Sequence, residues 1–296
     1  MSPSAIDGTV LSALDFRFTM SIDVDHDLAP LFASFSDVAG GRGEARRDPV
    51  GIELQQGADG FFELRIDERT AFRTLDLGVL VHQTVWEITR RGVEACTDRV
   101  VLHAAAVRVD DVDVLISGRS GAGKSTMTAR MVSDGAVYLT DEAVAIEPGG
   151  RIGATVRRPI HLNRDSLEML GLEPRALVRL PDGSGYLPAP GDTPGRADDG
   201  RGVAIVLLQD LSGDLVVQQP RRSELAVALI RESFDRAATT QLGLEIVKEL
   251  SSRANCVAVS GGTVPDRAKA AEIVAQSANE IAPAPRGAYD RSSGQL

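Results

Sequence analysis

A run of β-branched and leucine residues and a run of helix formers are joined by glycines in LISGRSGAGKSTMTARM, Leu115 to Met131. Gly118, Gly123, Lys124 and Ser125 satisfy G-x-x-x-x-G-K-[S/T] without substitution. Such a segment reads as the end of a strand, a tight loop and the start of a helix. The glycines let the backbone curl so that successive N–H groups point inward, and the helix N-terminus adds a partial positive charge. The pattern predicts a polyphosphate cradle made of Gly118, Arg119, Ser120, Gly121, Ala122, Gly123, Lys124, Ser125 and Thr126. Lys124 is expected to reach the terminal phosphates, and the Ser125 hydroxyl to ligate Mg²⁺ beside a bound ATP.

The chain has 296 residues, enough for one large α/β domain or a core domain with a smaller companion. A formal charge of −10, from 32 basic and 42 acidic residues, argues against broad nucleic-acid or anionic-membrane binding. Cys96 and Cys256 form neither a short-range pair nor a metal-ligand spacing and read as core residues of a protein kept reduced. The start, MSPSAIDGTVLSALDF, lacks the basic and apolar regions of a signal peptide, and no 18-residue apolar run occurs, so a cytoplasmic location is expected.

Alternation over Gly51 to Asp67 predicts a hairpin, and the helical spacing of Leu77, Leu80, Val81, Val85, Ile88 and Val93 predicts a helix ending near Cys96. Residues 1–98 are thus expected to form a β-rich N-terminal portion closed by one helix, with residues 99–281 as the P-loop domain. Within it, strands are expected at RVVLHAAAVRV and VLISG, and a helix over Lys124 to Ser133. AVYL is read as a parallel neighbour of the P-loop strand, followed by a hairpin at AVAIEPGGRIGATV. A long loop is expected over 171–202, rich in Gly, Pro and Asp, and strands follow at VAIVLLQDL, DLVVQQP and CVAVSGG. Helices are expected over about Ser223 to Arg253 and Pro265 to Ile281, before a disordered tail at 282–296.

Chemistry beyond the cradle is sought in acidic and basic residues near it. Asp141 and Glu142 directly follow AVYL, so one can join the Mg²⁺ shell while the other takes a proton from an attacking hydroxyl. His103, on the strand before the P-loop strand, could orient a phosphate oxygen or the acceptor. Arg158 or Arg157 could clamp a phosphate, whereas Arg221 and Arg222 read as an exposed helix start. His26, His82 and His161 have no such placement, His82 falling on a helix face.

The spacing is recognisable: His103 stands fifteen residues before Gly118, and Asp141 and Glu142 stand seventeen and eighteen after Lys124. This arrangement resembles the catalytic domain of HPr kinase/phosphorylase. LHAAAV, LISGRSGAGKST and YLTDEAVAI also look like HPr-kinase-related proteins, among them kinases of lasso-peptide precursors. The resemblance covers about Arg99 to Leu162. It implies an α/β fold shared with PEP carboxykinase, in which a mixed central sheet carries the P-loop, here preceded by the small β-rich portion. It also implies Glu142 as general base, Asp141 as a metal-shell carboxylate, His103 as an active-site histidine and Lys124 as the phosphate-binding lysine. Oligomeric assembly, too, is a family trait.

The chain departs from that pattern at Thr126, where a glutamate is common, and at Glu142, where the family has aspartate. The family's second metal-binding glutamate has no clear counterpart, although Glu168 stands near its place, and Arg196 and Arg201 are stand-ins for its basic acceptor loop. The expected activity is ATP-dependent transfer of a phosphoryl group to a hydroxyl, foremost a serine of a peptide or protein. A small-alcohol or sugar kinase and a regulatory nucleotide-binding ATPase are the alternatives.

Overall fold

The computed structural model describes residues 6, 8–35, 48–171, 178–190, 202–210, 212–234 and 239–281. The expected tail at 282–296, Arg196 and Arg201 lie outside them. Among the described residues the protein is mixed α/β, with an N-terminal five-stranded mixed sheet and a larger, eight-stranded mixed central sheet flanked by helices.

The N-terminal sheet runs in sequence order through β1 (Val10–Ala13), β2 (Phe16–Asp23), β3 (Val50–Gln56), β4 (Phe62–Ile66) and β5 (Arg69–Thr74). Only the β2–β3 pair is parallel. Alternate residues such as Ile52, Leu54, Leu64 and Ile66 turn inward, as the period of two dictates. The short helix α1 (Ala29–Phe32) adds to the single closing helix read from sequence. That closing helix is α2 (Leu77–Ala95), started by the Asp76 carboxylate, which accepts from Val79 N–H at 2.9 Å. Leu80, Val81, Val85 and Ile88 form its buried stripe.

In the central sheet, β6 (Val100–Val109) and β7 (Val112–Gly118) form an antiparallel hairpin. β7 then pairs in parallel with β14 (Gly202–Leu208), which pairs in parallel with β16 (Asn255–Ser260), and β15 (Val216–Gln218) closes that edge antiparallel. On the other side of β6 lie β8 (Val137–Thr140), β9 (Ala143–Glu147) and β10 (Arg151–Thr155). The helices α3 (Lys124–Ser133) and α7 (Val264–Ile281) cover one face of the sheet through Ala105, Val107, Val114 and Ile116. The other face packs Leu102, Ala104, Leu115 and Ile205 against α5 (Arg222–Arg231) and α6 (Gln241–Arg253). Cys96 and Cys256 are both buried, as the sequence suggests.

Two expectations are corrected. β8 is not a parallel neighbour of the P-loop strand; it pairs antiparallel with β6, which stands between the two. Because both strands oppose β6, they still run in the same direction. The segment 171–202 is not wholly a loop: β12 (Val178–Arg179) and β13 (Gly185–Leu187) join β11 (Ile160–Leu162) in a small antiparallel sheet, next to α4 (Arg164–Leu170). Its residues 172–177 and 191–201 are outside the described set. Composition misled here because Tyr186, 2% exposed, anchors a stretch otherwise made of turn residues.

The N-terminal sheet is not a detached unit. Val101, Ala143, Ala145, Val156 and Tyr186 share one core with Phe18, Leu80, Val85 and Ile88, and Arg99 forms an ion pair with Asp15. Among the described residues no helix is long and apolar enough to cross a membrane.

The β6–β7 hairpin carries one buried charge pair, in which Arg108 Nε lies 2.6 Å from Asp113 Oδ1 across the ladder. Both side chains are almost fully buried. Removing one partner strands the other charge in a low-dielectric interior. Asp113→Ala is therefore expected to lower unfolding stability by about 3–5 kcal/mol, measured by urea denaturation. A loss within experimental error would show that water reaches Arg108.

Candidate active site

The P-loop connects β7 to α3 as its residues require. A Cβ on Gly118 would stand 2.6 Å from the Leu208 carbonyl oxygen, so only glycine lets the loop leave β7 beside β14. Gly123 caps α3 at φ +82° and offers no side chain to the first-turn N–H groups. The loop and β14 line a cavity of about 800 Å³ with Gln209, Asp210, Arg231 and Glu232. Ser117 Oγ, on its wall, is buried and without a hydrogen-bond partner among the described residues. Lys124 is buried and donates from Nζ to the Gly118 carbonyl at 2.7 Å. Burial lowers its pKa, while Glu232, Glu142 and Asp141 act in the opposite sense.

Asp141 and Glu142 occupy a break in the strand that lines β6. β8 pairs with Ala106–Arg108 and β9 with Val100–His103, so the acidic pair falls at the interruption, and Ala104 N–H donates to the Glu142 carbonyl at 3.0 Å. Ser125 Oγ donates to Asp141 Oδ2 at 3.0 Å, joining the two residues expected to hold the metal. Both present hard oxygen atoms suited to Mg²⁺.

Arg158 has a different place from the phosphate clamp read in the sequence. Its guanidinium is wedged between the acidic residues, Nε 3.0 Å from Asp141 Oδ1 and Nη2 3.0 Å from Glu142 Oε2. Burial opposes its charge, but the two carboxylates outweigh that effect and raise its pKa. The single proton of Tyr138 OH is shared between Asp141 Oδ1 at 3.2 Å and the Arg158 carbonyl at 2.9 Å. Arg157 is turned away and donates to the Pro190 carbonyl at 2.7 Å.

His103 lies between two carboxylates, 3.7 Å from Glu142 and 3.9 Å from Glu232. Glu232 escaped the sequence reading because nothing near RESF marks it. Its position follows from the ladder: β7 stops covering β6 at Ala104, and the chain after α5 takes up the vacant edge. His103 N–H donates to the Glu232 carbonyl at 2.6 Å, and Phe234 N–H to the Val101 carbonyl at 3.0 Å.

Two histidines set aside from sequence also belong here. The rings of His82 and His161 stand 5.6 Å apart, and His161 lies 4.8 Å from the Tyr186 ring. The Tyr186 hydroxyl and His82 Nδ1 are hydrogen-bonded at 2.9 Å, and His161 N–H donates to Asp141 Oδ2 at 3.4 Å. Burial pushes the Tyr186 hydroxyl up to about 12, so it stays protonated. The remaining candidates lie apart from this group. Thr126 shares a buried 2.6 Å hydrogen bond with Ser166 of α4, Glu168 is exposed, and Arg221 and Arg222 begin α5, Arg222 donating to the Ser251 carbonyl at 2.5 Å.

Burial lowers the pKa of His82, His103 and His161 from the ordinary value of 6.5, and Arg158 adds to the effect on each. The folded chain then holds fewer protons at these sites than the unfolded chain once pH falls below about 6.5. Stability is present above that value and is lost as pH falls through it toward the lowered folded values. The melting temperature is expected to drop between about pH 6.5 and 5, less steeply in His82→Gln. A flat or rising profile in calorimetry would contradict the neutral state of these rings.

No protein-family model matches the chain, and no curated protein is similar enough to count as a relative.

Proposed function

We propose that this protein is an ATP-dependent, Mg²⁺-requiring kinase that transfers the γ-phosphoryl group to a hydroxyl, its foremost acceptor a serine of a peptide or protein. The fold proposed is that of the HPr kinase and PEP carboxykinase superfamily. The observation that carries this reading is the hydrogen bond from the P-loop serine, Ser125, to Asp141, with a second carboxylate, Glu142, next in the chain. A nucleotide cradle alone would need only the first of these groups.

Ser125 and Asp141 would hold the Mg²⁺, which supplies charge neutralisation at the transferring group. Lys124 would exchange its bond to the Gly118 carbonyl for a phosphate oxygen, adding a buried positive charge where negative charge gathers. Glu142 would accept the hydroxyl proton as the new P–O bond forms and the bond to the ADP oxygen breaks. Arg158 holds both carboxylates in register, and His103 backs Glu142 from the side of Glu232. Such a site works by positioning and charge rather than by covalent chemistry.

The same Arg158–Glu142 ion pair favours one other reading, a regulatory nucleotide-binding ATPase, because the carboxylate is already engaged. Radiolabelled ATP offered with peptide and metabolite panels separates the two: hydrolysis that no acceptor accelerates selects the ATPase. For the kinase, Lys124→Ala is expected to lose both nucleotide binding and transfer. Glu142→Gln is expected to lose transfer by about 10²–10⁴-fold while binding nucleotide like the parent chain. Undiminished transfer in Glu142→Gln would remove Glu142 from the role of base.

A further inference from the structure

Glu142 and Arg158 do not open into the P-loop cavity. They line a second cavity, of about 550 Å³, together with Phe234, and His103 stands between Glu142 and Glu232, which lines the first cavity. The opposite wall of the second cavity is α2, which turns its buried stripe to the N-terminal core and a second face, with Trp86, Thr89 and Val93, to this space. The volume falls within the about 300–1,000 Å³ typical of ligand pockets. A molecule seated there would meet the proposed base directly, with the lining of the first cavity reached through His103 and Glu232.

The walls say what kind of molecule fits. Trp86 is 50% exposed, an unusual place for so large an apolar side chain. The Arg90 guanidinium lies 5.6 Å from its ring centre and is itself bound to Glu87 at 2.7 Å and Glu94 at 2.5 Å. Most polar groups of the lining are engaged within the protein, and Thr97 is exposed. Thr89 Oγ1 donates to the Val85 carbonyl at 2.8 Å, Arg90 is held by its two glutamates, and Arg158 by Asp141. What faces a ligand is the carbon surface of Trp86, Val93 and Phe234, with the Glu142 carboxylate at one end. A sugar or polyol would give up water for several hydroxyls and find few partners. One hydroxyl beside an apolar side chain matches the arrangement.

We infer that this cavity is the acceptor subsite and that it takes the apolar side chain next to a serine in a peptide, with the serine hydroxyl at Glu142. The inference rests on the kinase reading above. It also gives the N-terminal portion a task, since α2 supplies the platform for the peptide.

Trp86 is the only tryptophan in the chain, so its emission reports on this cavity whether or not transfer occurs. The full-length protein would be titrated with short one-serine peptides that differ only in the residue before the serine: Leu, Phe, Gly or Asp. Glucose and glycerol would be run in parallel. The expected result is a saturable blue shift with the Leu and Phe peptides, at concentrations about tenfold lower than with Gly or Asp, and none with the polyols. In transfer assays, Trp86→Ala should raise the KM for the Leu peptide about tenfold and leave the KM for ATP unchanged, with Trp86→Phe recovering most of the loss. Emission that ignores every peptide, emission that answers the polyols instead, or an unchanged peptide KM in Trp86→Ala would overturn the subsite. Saturable peptide binding with no phosphate passed to any peptide would instead overturn the kinase reading, leaving the cavity a peptide-binding site only.

Discussion

The backbone ladder along β6 organises the site. One edge of this strand is covered by β7 only as far as Ala104, because there the P-loop begins, and residues 232–234 complete the remaining edge. The other edge is lined by β8 and β9, interrupted at Asp141 and Glu142. Buried backbone groups must be paired, so the departure of the P-loop requires a substitute partner, and that requirement brings Glu232 and Phe234 to His103. The glycine-rich loop, the acidic pair and the histidine meet because each is tied to the same strand.

Arg158 sets the electrostatics of this meeting point. Adjacent carboxylates, with Asp141 buried and Glu142 partly so, would repel without a cation, and a buried guanidinium would be costly without carboxylates. Wedged between Asp141 and Glu142, Arg158 satisfies both conditions and passes the arrangement on to Tyr138, whose hydroxyl bonds to the Arg158 carbonyl and to Asp141. His161 and Tyr186 extend the cluster to His82 on α2. The N-terminal portion is thereby coupled to the proposed phosphotransfer site through side chains as well as through the shared apolar core.

Much of this was legible in residue order, and the reasons differ from part to part. The helix over Lys124–Ser133, the helix ending beside Cys96 and the hairpin around Gly51–Asp67 follow from local period and turn residues, which act within a few positions. The acidic pair was found because it lies directly after a strand. The neighbour of its strand, β6, is not legible in residue order, because pairing is a long-range choice that local pattern does not encode. Tyr186 was hidden among turn residues, and Arg158 was read as a ligand-facing cation because its carboxylate partners lie sixteen and seventeen residues before it in the chain. Trp86 did leave a signal, standing off the apolar stripe of α2, but period alone does not tell an exposed aromatic from a cavity wall.

Residue order settles the loop between β7 and α3: glycines at 118 and 123 and the lysine and serine after the second specify its geometry through steric and hydrogen-bonding rules that act within the loop. It also settles that two carboxylates follow the next strand. Which groups face those carboxylates came only with the folded chain. Arg158, His103, Glu232 and the face of α2 reach the site across separations that sequence spacing does not measure, held there by sheet pairing and by a core continuous from Phe18 to Tyr186. Contacts of that kind arise from burial and ladder pairing summed over the whole molecule, so they have no signature in any single stretch of sequence.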